Sequence, residues 1–207
     1  MPYRSIAALQ RANRACRACA EAGFPIASTP VVEGGAGHRA YLYGQAPGAV
    51  EGNEVRPWRG RAGRTLRRWL ELEEDAFYAT FYCASVTRCY PGRAPSGRGD
   101  RTPTAREREL CSAWAEQELR RLCPQLVVTV GGLAASQLLG LTTLTDAIGE
   151  RFDLAGVPAI PLPHPSGASG WLNTPTNRER LEAALRLVRA ELADLRARRA
   201  VGPDAGR

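Results

Sequence analysis

Two short apolar runs, far apart in the chain, each end in a Gly/Pro turn. Ala40-Tyr41-Leu42-Tyr43 runs into Gly44-Gln45-Ala46-Pro47-Gly48, and Val157 to Leu162 runs into His164-Pro165-Ser166-Gly167. Gln125 to Val130 reads as the clearest buried strand and meets Gly131-Gly132, which opens a helix-patterned stretch from Leu133 to Leu139. Phe81 to Thr87, rich in β-formers, ends at Arg88-Cys89-Tyr90-Pro91-Gly92. Strands alternating with helical segments argue a parallel sheet covered on both faces, with its ligand crevice at the carboxyl ends of the strands.

The remaining segments fill in around these. Residues 5–22 alternate Ala, Leu and Arg at helical spacing and carry Cys16-Arg17-Ala18-Cys19 before Gly23-Phe24-Pro25 breaks the pattern. Residues 28–39 and the Gly- and Arg-rich stretch 48–61 read as loops, and a helix follows at about 62–73 with Leu66, Trp69 and Leu70 on its apolar face. Residues 92–103 show no periodicity and read as a mobile loop. A helix is expected from Pro103 with Thr102 as N-cap, its apolar positions being Leu110, Cys111, Trp114, Leu119 and Leu122. Thr174-Pro175 starts the last helix, in which Leu181, Ala184, Leu185, Val188, Leu192 and Leu195 recur. One domain over 1–200 and a disordered tail at 201–207 are expected.

No run approaches the ~20 apolar residues of a membrane span, and the N-terminus lacks a signal-peptide core, so a soluble, cytoplasmic monomer is expected. All 28 basic residues are arginine, and the net charge is +7. That excess suits a polyanionic partner, while a GC-rich coding sequence accounts equally well for arginine in place of lysine.

Six cysteines in such a chain point to metal or redox chemistry more than to disulfides. Cys16 and Cys19 can grip one centre, Cys89 ends a strand at a Pro-Gly turn, and Cys111 lies on the next helix; a C-x-x-C alone is equally compatible with a redox pair. Cys83 and Cys123 read as ordinary buried small hydrophobes.

Over about residues 12–195 the chain resembles a uracil-DNA glycosylase of the iron–sulfur type, family 4 of that superfamily, in an atypical form. Members read G-E-A-P-G, an acidic stretch, then G-R-P-F-x-G-x-A-G. Here Gly44-Gln45-Ala46-Pro47-Gly48-Ala49-Val50-Glu51 is followed by Val55-Arg56-Pro57-Trp58-Arg59-Gly60-Arg61-Ala62-Gly63. The resemblance implies a three-layer α/β/α sandwich around a mostly parallel four-stranded sheet. It also implies a [4Fe–4S] cluster on Cys16, Cys19, Cys89 and Cys111, with four-thiolate zinc as the chemical alternative.

For the base pocket the resemblance implies DNA carrying uracil or another deaminated base as substrate, and hydrolysis of the N-glycosidic bond to leave an abasic site. Trp58 falls where the family stacks an aromatic on the extruded base, and His164 would donate to the departing base's O2. Gly44, Ala46, Pro47, Gly48 and Ser166 would contact the base or backbone, and Gln45 and Glu51 are the polar groups beside the turn. Some glycosylases place a water-positioning Asp or Asn where Ala46 stands, and the family's uracil-reading Asn is replaced by Ser85. Those departures keep open a non-catalytic iron–sulfur protein that binds DNA or abasic sites. The small residues Ser166 to Gly170 suit an approach to a DNA groove, where Trp171 and Leu172 can wedge into the gap or pack beneath the loop.

Overall fold

A computed structural model describes residues 3–97, 99–166 and 170–200, with side chains to 198. In chain order the elements are α1 (Ile6–Arg14), α2 (Ala18–Glu21), β1 (Ala40–Gly44), α3 (Ala49–Glu54), α4 (Arg61–Leu70), α5 (Glu74–Thr80), β2 (Phe81–Ser85), α6 (Ala105–Leu122), β3 (Leu126–Val130), α7 (Gly132–Leu139), β4 (Phe152–Leu154), β5 (Val157–Leu162) and α8 (Pro175–Ala200). The sheet order is β2-β1-β3-β5-β4. The first four of these strands run parallel, and β4 pairs antiparallel with β5.

Alternation along the strands sorts side chains to two faces. Leu42, Cys83, Val128 and Ile160 pack under α4, α5 and α8, meeting Leu66, Phe77 and Leu185. Tyr41, Tyr43, Tyr82 and Val127 pack under α1, α6 and α7, meeting Leu9, Ala115 and Ala134. This is the three-layer α/β/α arrangement, with one strand more than expected. The added β4 spans three half-exposed or exposed residues at the sheet edge, too short to show an alternating pattern in sequence.

Other boundaries differ for local reasons. The first helix breaks at Ala15 into α1 and α2, so Cys16 falls between them. The stretch 48–61 contains α3, started at Gly48 with the Glu51 carboxylate accepting from the Gly48 amide at 3.1 Å. The segment 74–80, given no element from sequence, is α5. The N-cap of α6 is Thr104 and not Thr102, because Thr104 and Glu107 form a reciprocal capping box. Residues 92–103 are well braced where described: Arg101 makes a two-pronged pair with Glu107 at 2.7 Å and also donates to the Pro91 carbonyl. That pair holds the Glu107 carboxyl down to about 2, helped by the Thr104 bonds and opposed by burial. Cys83 is buried as expected, whereas Cys123 is exposed as the left-handed C-cap of α6. The 201–207 tail and Gly167, Ala168 and Ser169 lie outside the described residues. Among the described residues no helix is long and apolar enough to cross a membrane.

The buried face of α6 carries Glu118, whose Oε2 accepts from Arg88 at 2.6 Å and from the Tyr41 hydroxyl at 2.6 Å. Arg88 and Glu118 are each 1% exposed. Burial works against the Arg88 charge, but Glu118 and the neighbouring tyrosines more than offset it, so the guanidinium stays ionised.

Candidate active site

Parallel register puts the carboxyl ends of β1 and β2 side by side, Gly44 opposite Ser85, and aligns Val130 with Leu162 at the ends of β3 and β5. The turns that follow these strands therefore surround one crevice, where open α/β sheets bind ligands. A cavity of about 570 Å³ opens there, and Gly44 to Gly48, Glu51, Trp58, Ser85, His164 and Ser166 all form part of its wall. Trp58 and His164, over a hundred residues apart in sequence, thus open onto the same space.

The R-P-x-x-G-x-A-G spacing from Arg56 to Gly63 has a visible cause. Trp58 sits at φ +60°, a left-handed conformation that is uncommon for a bulky residue. Its carbonyl is held by Arg67 Nη1 at 2.8 Å and lies 1.7 Å from where a Cβ on residue 63 would stand, so only glycine fits at Gly63. The indole then lies against the Gly44 backbone, where a Cβ would approach it to 2.9 Å. Glu51 braces the same region, its two oxygens accepting from the Gly48 amide at 3.1 Å and the Gly60 amide at 2.7 Å. With both oxygens so engaged, Glu51 holds two turns in place.

At His164 the Ser166 amide donates to Nδ1 at 3.3 Å. An amide cannot accept, so Nδ1 carries the lone pair and the neutral ring keeps its proton on Nε2. Solvent reaches this residue through the cavity mouth, yet the protein wall crowds the ring. That crowding lowers its pKa from the ordinary 6.5, against the opposing pull of Glu51, and leaves it neutral at pH 7.

Gln45 forms part of the cavity wall, and its backbone carbonyl accepts from the Thr87 amide at 3.2 Å. Ala46 brings no polar group. A carboxylate missed in sequence does reach the wall: Asp100, from the aperiodic 92–103 loop, accepts from the Tyr90 hydroxyl at 2.9 Å. Nothing in its sequence surroundings marks it. Trp171 and Leu172 pack partly against the core, and Trp171 Nε1 donates to Thr145 Oγ1 at 3.0 Å, which ties them to the protein body and argues against a free wedge.

Cys16, Cys19, Cys89 and Cys111 line a second cavity of about 230 Å³, together with Arg88 and Trp114. The Arg88 amide donates to Cys111 Sγ at 3.4 Å. Burial, with the other cysteines adding to it, pushes the Cys19 thiol up to about 11 and the Cys89 thiol up to about 12. Four thiols that face one space and resist ionising together are suited to a cationic centre among them. Among the described residues no three Cys, His, Asp or Glu side chains converge as a single ion would require.

Comparison with known proteins agrees with this geometry. The chain is 35% identical over 116 residues to a type-5 uracil-DNA glycosylase of Pyrobaculum aerophilum, an alignment spanning 55% of this chain and about half, 46%, of that protein. It is 30% identical over 139 residues to a type-4 uracil-DNA glycosylase of Thermotoga maritima, covering 66% of this chain and 69% of the relative. A type-4 uracil-DNA glycosylase of Sulfurisphaera tokodaii is 26% identical over 163 residues, covering 72% and 68%. The model of the uracil DNA glycosylase superfamily matches residues 32–193, which takes in β1 to β5, Trp58 and His164, and the chain belongs to that superfamily.

Proposed function

We propose that this protein is a monofunctional DNA glycosylase that receives an extruded uracil, or another deaminated base, in the 570 Å³ cavity and hydrolyses its N-glycosidic bond. The observation that carries this reading is the convergence of the Trp58 indole and a neutral His164 with its proton on Nε2 at one cavity. Stacking on Trp58 contributes about 1–3 kcal/mol toward offsetting the loss of base stacking in DNA. With uracil as the base, the electron pair of the breaking C1′–N1 bond moves onto the ring and spreads over O2 and O4. His164 Nε2–H donates to O2 as that charge grows, a contact worth about 3–4 kcal/mol when preorganised. Water adds to C1′ and its proton passes through solvent to the departed base anion, leaving an abasic site and the neutral base. A chain without lysine offers no side-chain amine for a Schiff base with that sugar, which supports hydrolysis without strand cleavage.

The test is an oligonucleotide carrying one uracil, incubated with the protein and then treated with alkali. Strand scission only after alkali is expected. If no scission follows with uracil, hypoxanthine or xanthine, the enzyme reading falls, and retained affinity for the same DNA then favours a non-catalytic binder.

The second cavity supports a [4Fe–4S] cluster held by Cys16, Cys19, Cys89 and Cys111, four thiolates around one space being the ligand set such a cluster takes. A bound cluster would supply a covalent tie joining the α1–α2 junction, the Cys89 turn and α6. The purified protein should be brown and contain iron and acid-labile sulfide, and Cys89→Ser should lose the colour. A colourless wild-type protein containing zinc would replace the cluster with a single ion.

A further inference from the structure

Ser85, at the end of β2, faces Gly44 in register and lines the base cavity. It is 7% exposed, so its hydroxyl must pair within the protein or with whatever fills the cavity. Its Oγ stands 2.7 Å from the Thr87 carbonyl oxygen. A carbonyl oxygen has no proton to give, so the direction is fixed: Ser85 donates and Thr87 accepts. The Thr87 carbonyl belongs to a stitched segment, for the Val86 amide donates to the Gly44 carbonyl at 2.9 Å and the Thr87 amide to the Gln45 carbonyl at 3.2 Å. With its one proton engaged, Ser85 presents only lone pairs to the cavity.

We infer that Ser85 is a specificity determinant that accepts a hydrogen bond from a ring N–H of the extruded base and donates to none of its carbonyls. The inference rests on the glycosylase reading and names the substrate class of the same site. Deamination of cytosine to uracil turns ring N3 from a lone-pair acceptor into an N–H donor. Deamination of adenine to hypoxanthine does the same at N1. An acceptor-only hydroxyl reads that shared change and rejects cytosine and adenine, whose ring lone pairs would meet its own. A side-chain amide would add a donor matched to the uracil O4 and so would read the pyrimidine edge as well; the hydroxyl leaves that edge unread. The expected substrates are bases with a protonated ring nitrogen beside a carbonyl, pyrimidine or purine. Guanine and thymine each keep a ring N–H beside a carbonyl, so their exclusion falls to other groups.

The test compares wild type, Ser85→Ala and Ser85→Asn on oligonucleotides carrying uracil, hypoxanthine or 4-thiouracil, which keeps N3–H but weakens the acceptor at position 4. Far-ultraviolet circular dichroism and melting temperature check that each variant is folded. Ser85→Ala should lower kcat/KM by about tenfold on all three substrates alike, leaving the uracil to 4-thiouracil ratio within about threefold of wild type. Ser85→Asn should raise that ratio by about tenfold, because its new donor rewards oxygen over sulfur. Comparing ratios between variants cancels the intrinsic reactivity of the thio base. A Ser85→Ala protein that keeps wild-type kcat/KM, or one whose uracil to 4-thiouracil ratio shifts by about tenfold, overturns the inference while the glycosylase reading stands. A wild-type protein that cuts none of the three removes the glycosylase reading itself, and this inference with it.

Discussion

Glu118→Ala should destabilise the folded protein by about 3–5 kcal/mol, the usual penalty for stranding one partner of a buried ion pair. Arg88 and Glu118 are each 1% exposed and meet at 2.6 Å. Two further Arg88 nitrogens, Nε and Nη1, have no hydrogen-bond partner among the described residues, so removing Glu118 leaves the buried guanidinium facing only the Tyr43 ring, 5.9 Å from its carbon. The Tyr41 hydroxyl loses its acceptor at the same stroke. Denaturant unfolding of the purified protein measures the loss. Replacing both partners, as Arg88→Met with Glu118→Leu, should recover most of it, since a well-packed apolar pair removes both desolvation penalties. A single Glu118→Ala protein within about 1 kcal/mol of wild type would show that water or another group already satisfies Arg88.

His164→Ala should lower kcat by about 10²–10³-fold while leaving affinity for uracil-containing DNA near wild type, because the lost contact strengthens only as charge develops on the leaving base. Single-turnover kinetics and a binding titration separate the two quantities. Any inflection that His164 imposes on the wild-type rate should fall below pH 6.5, since crowding by the cavity wall lowers its pKa from that ordinary value. An inflection at 6.5 that disappears in His164→Ala would place the ring in a wetter setting. Full activity in His164→Ala would remove it from the chemistry.

Much of this site is legible in sequence because it depends on short-range rules. A turn of glycine and proline after an apolar run marks a strand end, and parallel order brings such ends together, which is how the Gly44 and His164 segments come to share a cavity. Gly63 is legible as a motif position, though its reason, the Trp58 carbonyl, needs coordinates. The buried face of α6 was harder to see. It consists of Glu107, Cys111, Ala115, Glu118 and Leu122, correct in helical period but occupied by two acids and small residues. Hydrophobicity alone identifies Cys111 and Leu122 on that face but adds the half-buried Trp114 and Leu119 and passes over Glu107 and Glu118. Glu118 is paired thirty residues away with an arginine that follows a strand, and Asp100 reaches the cavity from a stretch with no pattern at all. Contacts of that kind are set by tertiary packing, which local spacing does not encode.

The left-handed backbone at Trp58 has a consequence for how tightly a base can be held. Such a conformation stores about 1–3 kcal/mol of strain. That strain is already absorbed during folding, by the Arg67 bond and the space left at Gly63. An arriving nucleobase therefore meets a rigid platform and surrenders its own freedom without also having to still a wandering indole.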